Sequence, residues 1–149
     1  MEGPISRRDL LVGSAGTMLA AGLPVAPALA AEEHPGHGAP HQALIAAANT
    51  CVAAGDACLA HCLAMFAAGD TSLAACARSV AEMMPACRAV ASLATLNAKR
   101  LAQFTAPCAD ICADCESECR KHADTHAICK ACADACARFV AEAKKVSAA

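Results

Sequence analysis

The 149-residue sequence predicts an all-α protein: an antiparallel up-down four-helix bundle with a cysteine-lined core, preceded by a cleaved export signal and a short flexible tail. Three observations carry that reading. Alanine, the strongest helix former, fills long stretches that hold few Gly or Pro breakers. Breaks at Gly69, at Asn97 and around Asp124 divide those stretches into four segments of similar length. The twelve cysteines recur inside the segments at helical rather than strand spacing.

Residues 1–30 read as a segment removed from the working protein. Arg7 and Arg8 precede an apolar run from Leu10 to Leu29, which Gly13, Gly16, Gly22, Pro24 and Pro27 interrupt. Ala28 and Ala30 supply the small residues of a cleavage site. The interruptions and the cleavage site argue against a membrane anchor. The arginine pair resembles a twin-arginine export signal, a receptor-read address that implies the periplasm or cell exterior and no membrane contact after cleavage. Residues 31–40 read as a flexible tail, because Pro35, Gly36, Gly38 and Pro40 break helices. His34, His37 and His41 in or beside it are either solvated or ligands for copper or zinc.

The third segment, 41–149, reads as the bundle. Helix one is expected from His41 to Ala68, with Gly69 as its C-terminal cap. Asp70, Thr71 or Ser72 is expected to cap helix two, which reaches Leu96 and is kinked by Pro85. Asn97 separates it from helix three, Ala98 to His122, which contains Pro107. Asp124 or Thr125 is expected to cap helix four, which ends near Lys145, and Lys144 and Lys145 suit the dipole of its last turn. Helices of this length with short links predict the up-down arrangement.

Composition removes several functional classes. There are three Phe and no Trp or Tyr, so platforms that stack nucleic-acid bases are missing. A formal charge of −2 provides no footprint for a polyanion, and no nucleic-acid partner is expected. The sequence shows no nucleophile–base pair, no Gly-rich phosphate loop and no carboxylate dyad, and no enzymatic activity is expected.

Cysteine placement is the informative feature. At about 100° per residue, the cysteines of each helix fall within an arc of about 60°. The four sets are Cys51, Cys58 and Cys62; Cys76 and Cys87; Cys108, Cys112, Cys115 and Cys119; and Cys129, Cys132 and Cys136. In an antiparallel bundle such arcs are the core faces. Met83 shares the arc of Cys76 and is either a further metal ligand or core packing, whereas Met84 lies off the arc and reads as ordinary packing. Asp110, Asp114, Glu118 and Asp134 read as outer-face charges.

Four explanations compete for a core of thiols. Plain packing accounts for one or two buried cysteines, but leucine fills space better and does not oxidise. A disulfide framework is the usual fate of Cys-rich exported chains, though such frameworks are loop-rich and here the loops carry no Cys. Zinc and iron–sulfur sites gather ligands around one centre, and the C-x2-C pairs Cys112/Cys115 and Cys129/Cys132 are weak signals in mid-helix. The fourth explanation is many soft ions. Thiolates select Cu(I), and two-coordinate Cu(I) needs sulfurs about 4.5 Å apart, twice a metal–sulfur bond. Residues four apart on a helix have β-carbons about 5–6 Å apart. Cys58/Cys62, Cys108/Cys112, Cys115/Cys119 and Cys132/Cys136 are therefore candidate two-sulfur sites, with cross-helix pairs in addition.

The segment from Thr50 through Cys51, Cys58, His61 and Cys62 to Met65 resembles the first helix of bacterial four-helix-bundle copper storage proteins. Cys108 to Cys119, and Cys129 through Cys132 to Cys136, resemble their third and fourth helices. The likeness spans essentially the whole mature chain, and the export signal is similar to that of the type found in methane-oxidising bacteria. The resemblance implies storage of several Cu(I) ions per chain, a homotetramer, and supply of copper to enzymes such as a membrane methane monooxygenase. It also implies that His61 and Met65 stand at the open mouth as entry or exit ligands. The chain departs from the family pattern at Phe139 and Ala143, where the fourth helix often continues its cysteine row, and in having fewer methionines near the mouth. His122 and His126 flank the last turn and read as solvated. The rival readings are a disulfide-stiffened exported interaction domain and a Zn(II)-binding thiol protein.

Overall fold

A computed structural model describes residues 40–147. The expected export signal (1–30), and all of the expected tail except Pro40, including His34 and His37, lie outside the described residues. Four helices follow: α1 (Gln42–Ala67), α2 (Ala74–Thr95), α3 (Leu101–Arg120) and α4 (Ala127–Ser147). No strand occurs among the described residues.

The ends of the helices show where local chemistry decided. Gly69 has φ +87°, a left-handed conformation that glycine adopts without a Cβ clash. Its N–H donates to the Phe66 carbonyl and that of Asp70 to the Met65 carbonyl, each at 3.0 Å, which closes α1 in a Schellman motif. Asn97 plays the same part after α2, with φ 47°. Its N–H reaches the Ala94 carbonyl at 3.1 Å and that of Ala98 reaches Leu93 at 3.0 Å. This use of Ala98 in the turn is why α3 starts at Leu101 and not at Ala98.

Neither expected N-cap acts as one. The Asp70 carboxylate accepts the Ser72 N–H at 2.8 Å and so caps the turn ahead of α2, which begins after Leu73 with no side-chain cap. At α4 the His126 carbonyl accepts from Cys129 at 2.9 Å and Lys130 at 3.2 Å. The Thr125 hydroxyl instead donates backwards to the His122 carbonyl. Pro85 and Pro107 lie within α2 and α3 and end neither helix.

Each helix packs against its two neighbours in the cycle α1–α2–α3–α4, so the diagonal partners face one another across the core. One end of that core is apolar. Leu44, Val90, Ala94, Leu101, Phe139 and Ala143 are all essentially buried there, with Thr105 returning its hydroxyl to the Leu101 carbonyl at 2.8 Å. The cysteines line the rest, with Leu73, Val80 and Met83 among them, towards the α1–α2 and α3–α4 turns. Outside, Arg88 pairs with Asp56 at 3.3 Å between α2 and α1, and Arg120 with Asp134 at 2.6 Å between α3 and α4. Exposed pairs of this kind contribute little to stability. α1 is also long and apolar enough to cross a membrane by length and composition. Its buried row of Leu44, Ala48, Cys51, Gly55, Cys58 and Cys62 is that of a core helix.

Candidate metal centre

The site is a column of sulfur. All twelve cysteines are buried free thiols, and the most exposed of them, Cys108, reaches only 2%. Helical periodicity aims each set inward. Antiparallel packing then interleaves the sets along the axis, with Cys62, Cys76, Cys119 and Cys129 near the turns and Cys51, Cys87 and Cys108 next to the apolar end.

Close approaches run between helices. Cys87 and Cys112 sulfurs lie 3.3 Å apart, Cys76 and Cys119 3.4 Å, and Cys51 and Cys136 3.4 Å. Cys58 is 3.8 Å from Cys76 and 3.9 Å from Cys129. None of these approaches the roughly 2.05 Å of a disulfide. Four groups of three sulfurs each fit within 4.8 Å: Cys51, Cys87 and Cys112; Cys58, Cys76 and Cys129; Cys58, Cys119 and Cys132; and Cys115, Cys132 and Cys136. Cys58 and Cys132 belong to two groups each, which links three of the four groups, and the 3.4 Å approach of Cys51 to Cys136 brings the fourth beside them. Among the four expected i,i+4 pairs, only Cys132/Cys136 falls inside one group. Cys62 and Cys108 fall outside all four.

The spacing suits a soft ion. Three sulfurs around one metal at about 2.3 Å stand about 4 Å apart, and two in a line stand about 4.5 Å apart. The groups bracket both values without moving the backbone. A structural zinc site wants four ligands around a closed tetrahedron, and the described groups offer three. Soft all-sulfur donors in shared clusters favour Cu(I).

Proton sharing makes the column electrically uneven. Hydrogen bonds from Cys119, Cys132 and Cys136 hold the Cys115 thiol far below its ordinary range. Cys108 is drawn down to about 4 by Cys112 and Cys87. Cys112 and Cys119 shift the other way, raised chiefly by the neighbouring thiols of Cys108 and Cys115 respectively. Burial, with the neighbouring charges of Cys76 and Cys58, pushes Cys62 up to about 12. The thiols of the column therefore do not titrate alike: Cys108, Cys115 and Cys58 are lowered and their neighbours raised. A monovalent cation that binds in the column displaces thiol protons.

His61 and Met65 lie on α1 one turn apart beside Cys62, both half-buried. His61 Nε2 is 3.0 Å from His126 Nδ1 across the end of the bundle. His126 is in the loop before α4, as the sequence reading expects, but is half-buried rather than solvated, and His122 packs its ring edge near it with centroids 6.5 Å apart. The signal was present in the sequence. His126 stands three residues before Cys129 and extends the same face of α4 by one turn. Gly55 occupies the core row of α1 between Cys51 and Cys58. Met83 is fully buried, and its Sδ accepts from the Cys51 thiol at 3.3 Å. Met84 lies against Gly55, as packing. Asp110 and Asp114 are exposed, while Glu118 and Asp134 are half-buried and paired outward with Lys121, Lys130 and Arg120.

The sequence model of a family described as copper storage protein (Csp) matches residues 37–148. Among solved structures, the chain is similar to the apo form of copper storage protein 3 from Bacillus subtilis. That likeness has a TM-score of 0.64 and 29% sequence identity over 72% of this chain and 98% of the other. No curated protein matches significantly.

Proposed function

The chain belongs to the copper storage protein family, and from that premise we propose that it stores multiple Cu(I) ions on the thiolates of its core. The observation that carries the proposal is the column of twelve buried free thiols, in which three of the four three-sulfur groups share members. Shared sulfurs can bridge ions, so capacity approaches about one ion per thiol. Each ion displaces thiol protons, which keeps the charge of a dry core from accumulating as it fills. Water has little access, and no open coordination position is needed for storage.

Copper enters and leaves at the end where His61 and Met65 stand. Imidazole and thioether hold Cu(I) less tightly than thiolate, which suits transfer rather than retention. The protein acts outside the cytoplasm after export by the twin-arginine route, as a homotetramer, and passes its copper to copper enzymes. It performs no catalysis of its own.

Anaerobic Cu(I) titration against a chelator of matched affinity tests the central claim. Several tightly held equivalents per chain are expected. Saturation at one ion or fewer overturns storage, and a tighter grip on Zn(II) than on Cu(I) redirects the protein to zinc. A thiol count on unreduced exported protein separates storage from the disulfide rival: twelve reactive thiols against six bridges.

A further inference from the structure

The inward row of α1 reads Cys51, Gly55, Cys58, Cys62, all buried. Gly55 is the one position in that row without a side chain, and a glycine in mid-helix costs up to about 1 kcal/mol relative to alanine. Its backbone is ordinary helix, so a positive φ does not explain it. Space does. A Cβ at Gly55 would lie 2.9 Å from Met83 Cε and 2.9 Å from Met84 Cγ. The missing side chain makes a slot in which the tip of Met83, reaching over from α2, lies across α1. The thioether is thereby set 3.3 Å from Cys51 Sγ, in a residue that is 0% exposed. Cys51 is in turn 3.4 Å from Cys136 and forms a three-sulfur group with Cys87 and Cys112. Where the thiol row of α1 has a gap, a sulfur from the neighbouring helix fills it.

We propose that Met83 is a thirteenth sulfur donor of the column, binding Cu(I) together with Cys51 in the slot that Gly55 opens. The proposal rests on the Cu(I) storage reading and adds a site deep in the core, away from the His61–Met65 end. The chemistry differs from that of a thiolate pair. When Cu(I) binds Cys51 and Met83, the Cys51 S–H bond breaks, a Cu–S bond forms, and one proton leaves. The thioether joins through a lone pair without losing anything, so the site's net charge is unchanged. Two thiols taking one Cu(I) release two protons and leave a net negative charge, which is costly in a dry interior. Methionine's flexible, polarizable side chain lets the sulfurs separate from 3.3 Å to the roughly 4.5 Å of linear coordination without backbone movement.

Selenium labelling of the methionines in the full chain tests this, with selenium-edge X-ray absorption on the Cu(I)-loaded protein. A copper neighbour at about 2.3 Å, slightly longer for selenium, is expected. It should persist in Met65→Leu and disappear in Met65→Leu/Met83→Leu. Leucine is close in volume to methionine, and labelled protein without the Met83 substitution provides the reading even if the double variant folds poorly. Copper-loaded Met65→Leu protein with no selenium–copper signal overturns the Met83 site while leaving storage intact. Failure to load copper at all overturns the storage reading instead.

Discussion

The sulfurs of Cys51 and Cys136 lie 3.4 Å apart although 85 positions separate them in the chain. The contact joins α1 to α4, helices that meet only once the whole up-down path has closed. Most of the column is built this way, from sulfurs on different helices, so copper capacity depends on tertiary register as well as on cysteine number.

Shared membership ranks the thiols. Cys132 belongs to two three-sulfur groups, whereas Cys62 belongs to none. Cys132→Ala is expected to lower the Cu(I) endpoint by more than one equivalent, and Cys62→Ala by one at most. Both endpoints come from chelator-competition titration. Equal losses from the two variants would show that the groups do not share ions.

Gly55→Ala should destabilise the apo protein even though alanine is the better helix former. The new methyl meets Met83 and Met84 at 2.9 Å, and overpacking of this kind costs about 1–3 kcal/mol. The helix-propensity gain offsets at most about 1 kcal/mol of that. Denaturant unfolding of the reduced apo protein measures the net effect, and a more stable variant contradicts the packing argument.

Phe139→Ala probes the apolar end. Phe139 is fully buried on α4 one turn beyond Cys136, and truncating a buried phenylalanine costs about 3–5 kcal/mol. The variant is expected to unfold at markedly lower denaturant in its apo form, yet to reach the same copper endpoint when folded. A reduced endpoint with unchanged stability would place Phe139 in the metal site rather than in the plug.

Stability of the apo protein should fall at alkaline pH. The folded state raises Cys62 from an ordinary 9.0 to about 12 through burial, and burial raises Cys129 in the same direction. A raised thiol holds its proton in the folded chain and loses it first in the unfolded one. Its contribution is thus fully present below pH 9 and drains away as pH climbs towards 12. Cys108, lowered to about 4, has the opposite sign: its contribution is complete above pH 9 and is lost as pH drops towards 4. The melting temperature under anaerobic conditions should decline from pH 9 upward, and Cys62→Ala should flatten that decline. An unchanged slope in the variant argues that Cys62 is not the group responsible.

His61→Ala is expected to slow copper uptake several-fold while leaving the endpoint unchanged, with stopped-flow transfer from a Cu(I) donor as the measurement. His126→Ala should act in the same direction, because the two rings touch at 3.0 Å. A lowered endpoint with an unchanged rate makes these histidines storage ligands instead.

Much of this protein is written locally. Alanine content produces the rods, Gly69 and Asn97 stop two of them through backbone conformations that can be read residue by residue, and a 100° turn per position fixes which face each thiol occupies. Periodicity gives the angle around one helix axis but says nothing about the height at which another helix stands beside it. That height decided that Cys87 meets Cys112 and Cys76 meets Cys119, that His126 reaches His61, and that Met83 drops into the space above Gly55. Packing of the closed bundle sets those offsets, because the loops and the apolar plug must be satisfied together before any sulfur finds its partner.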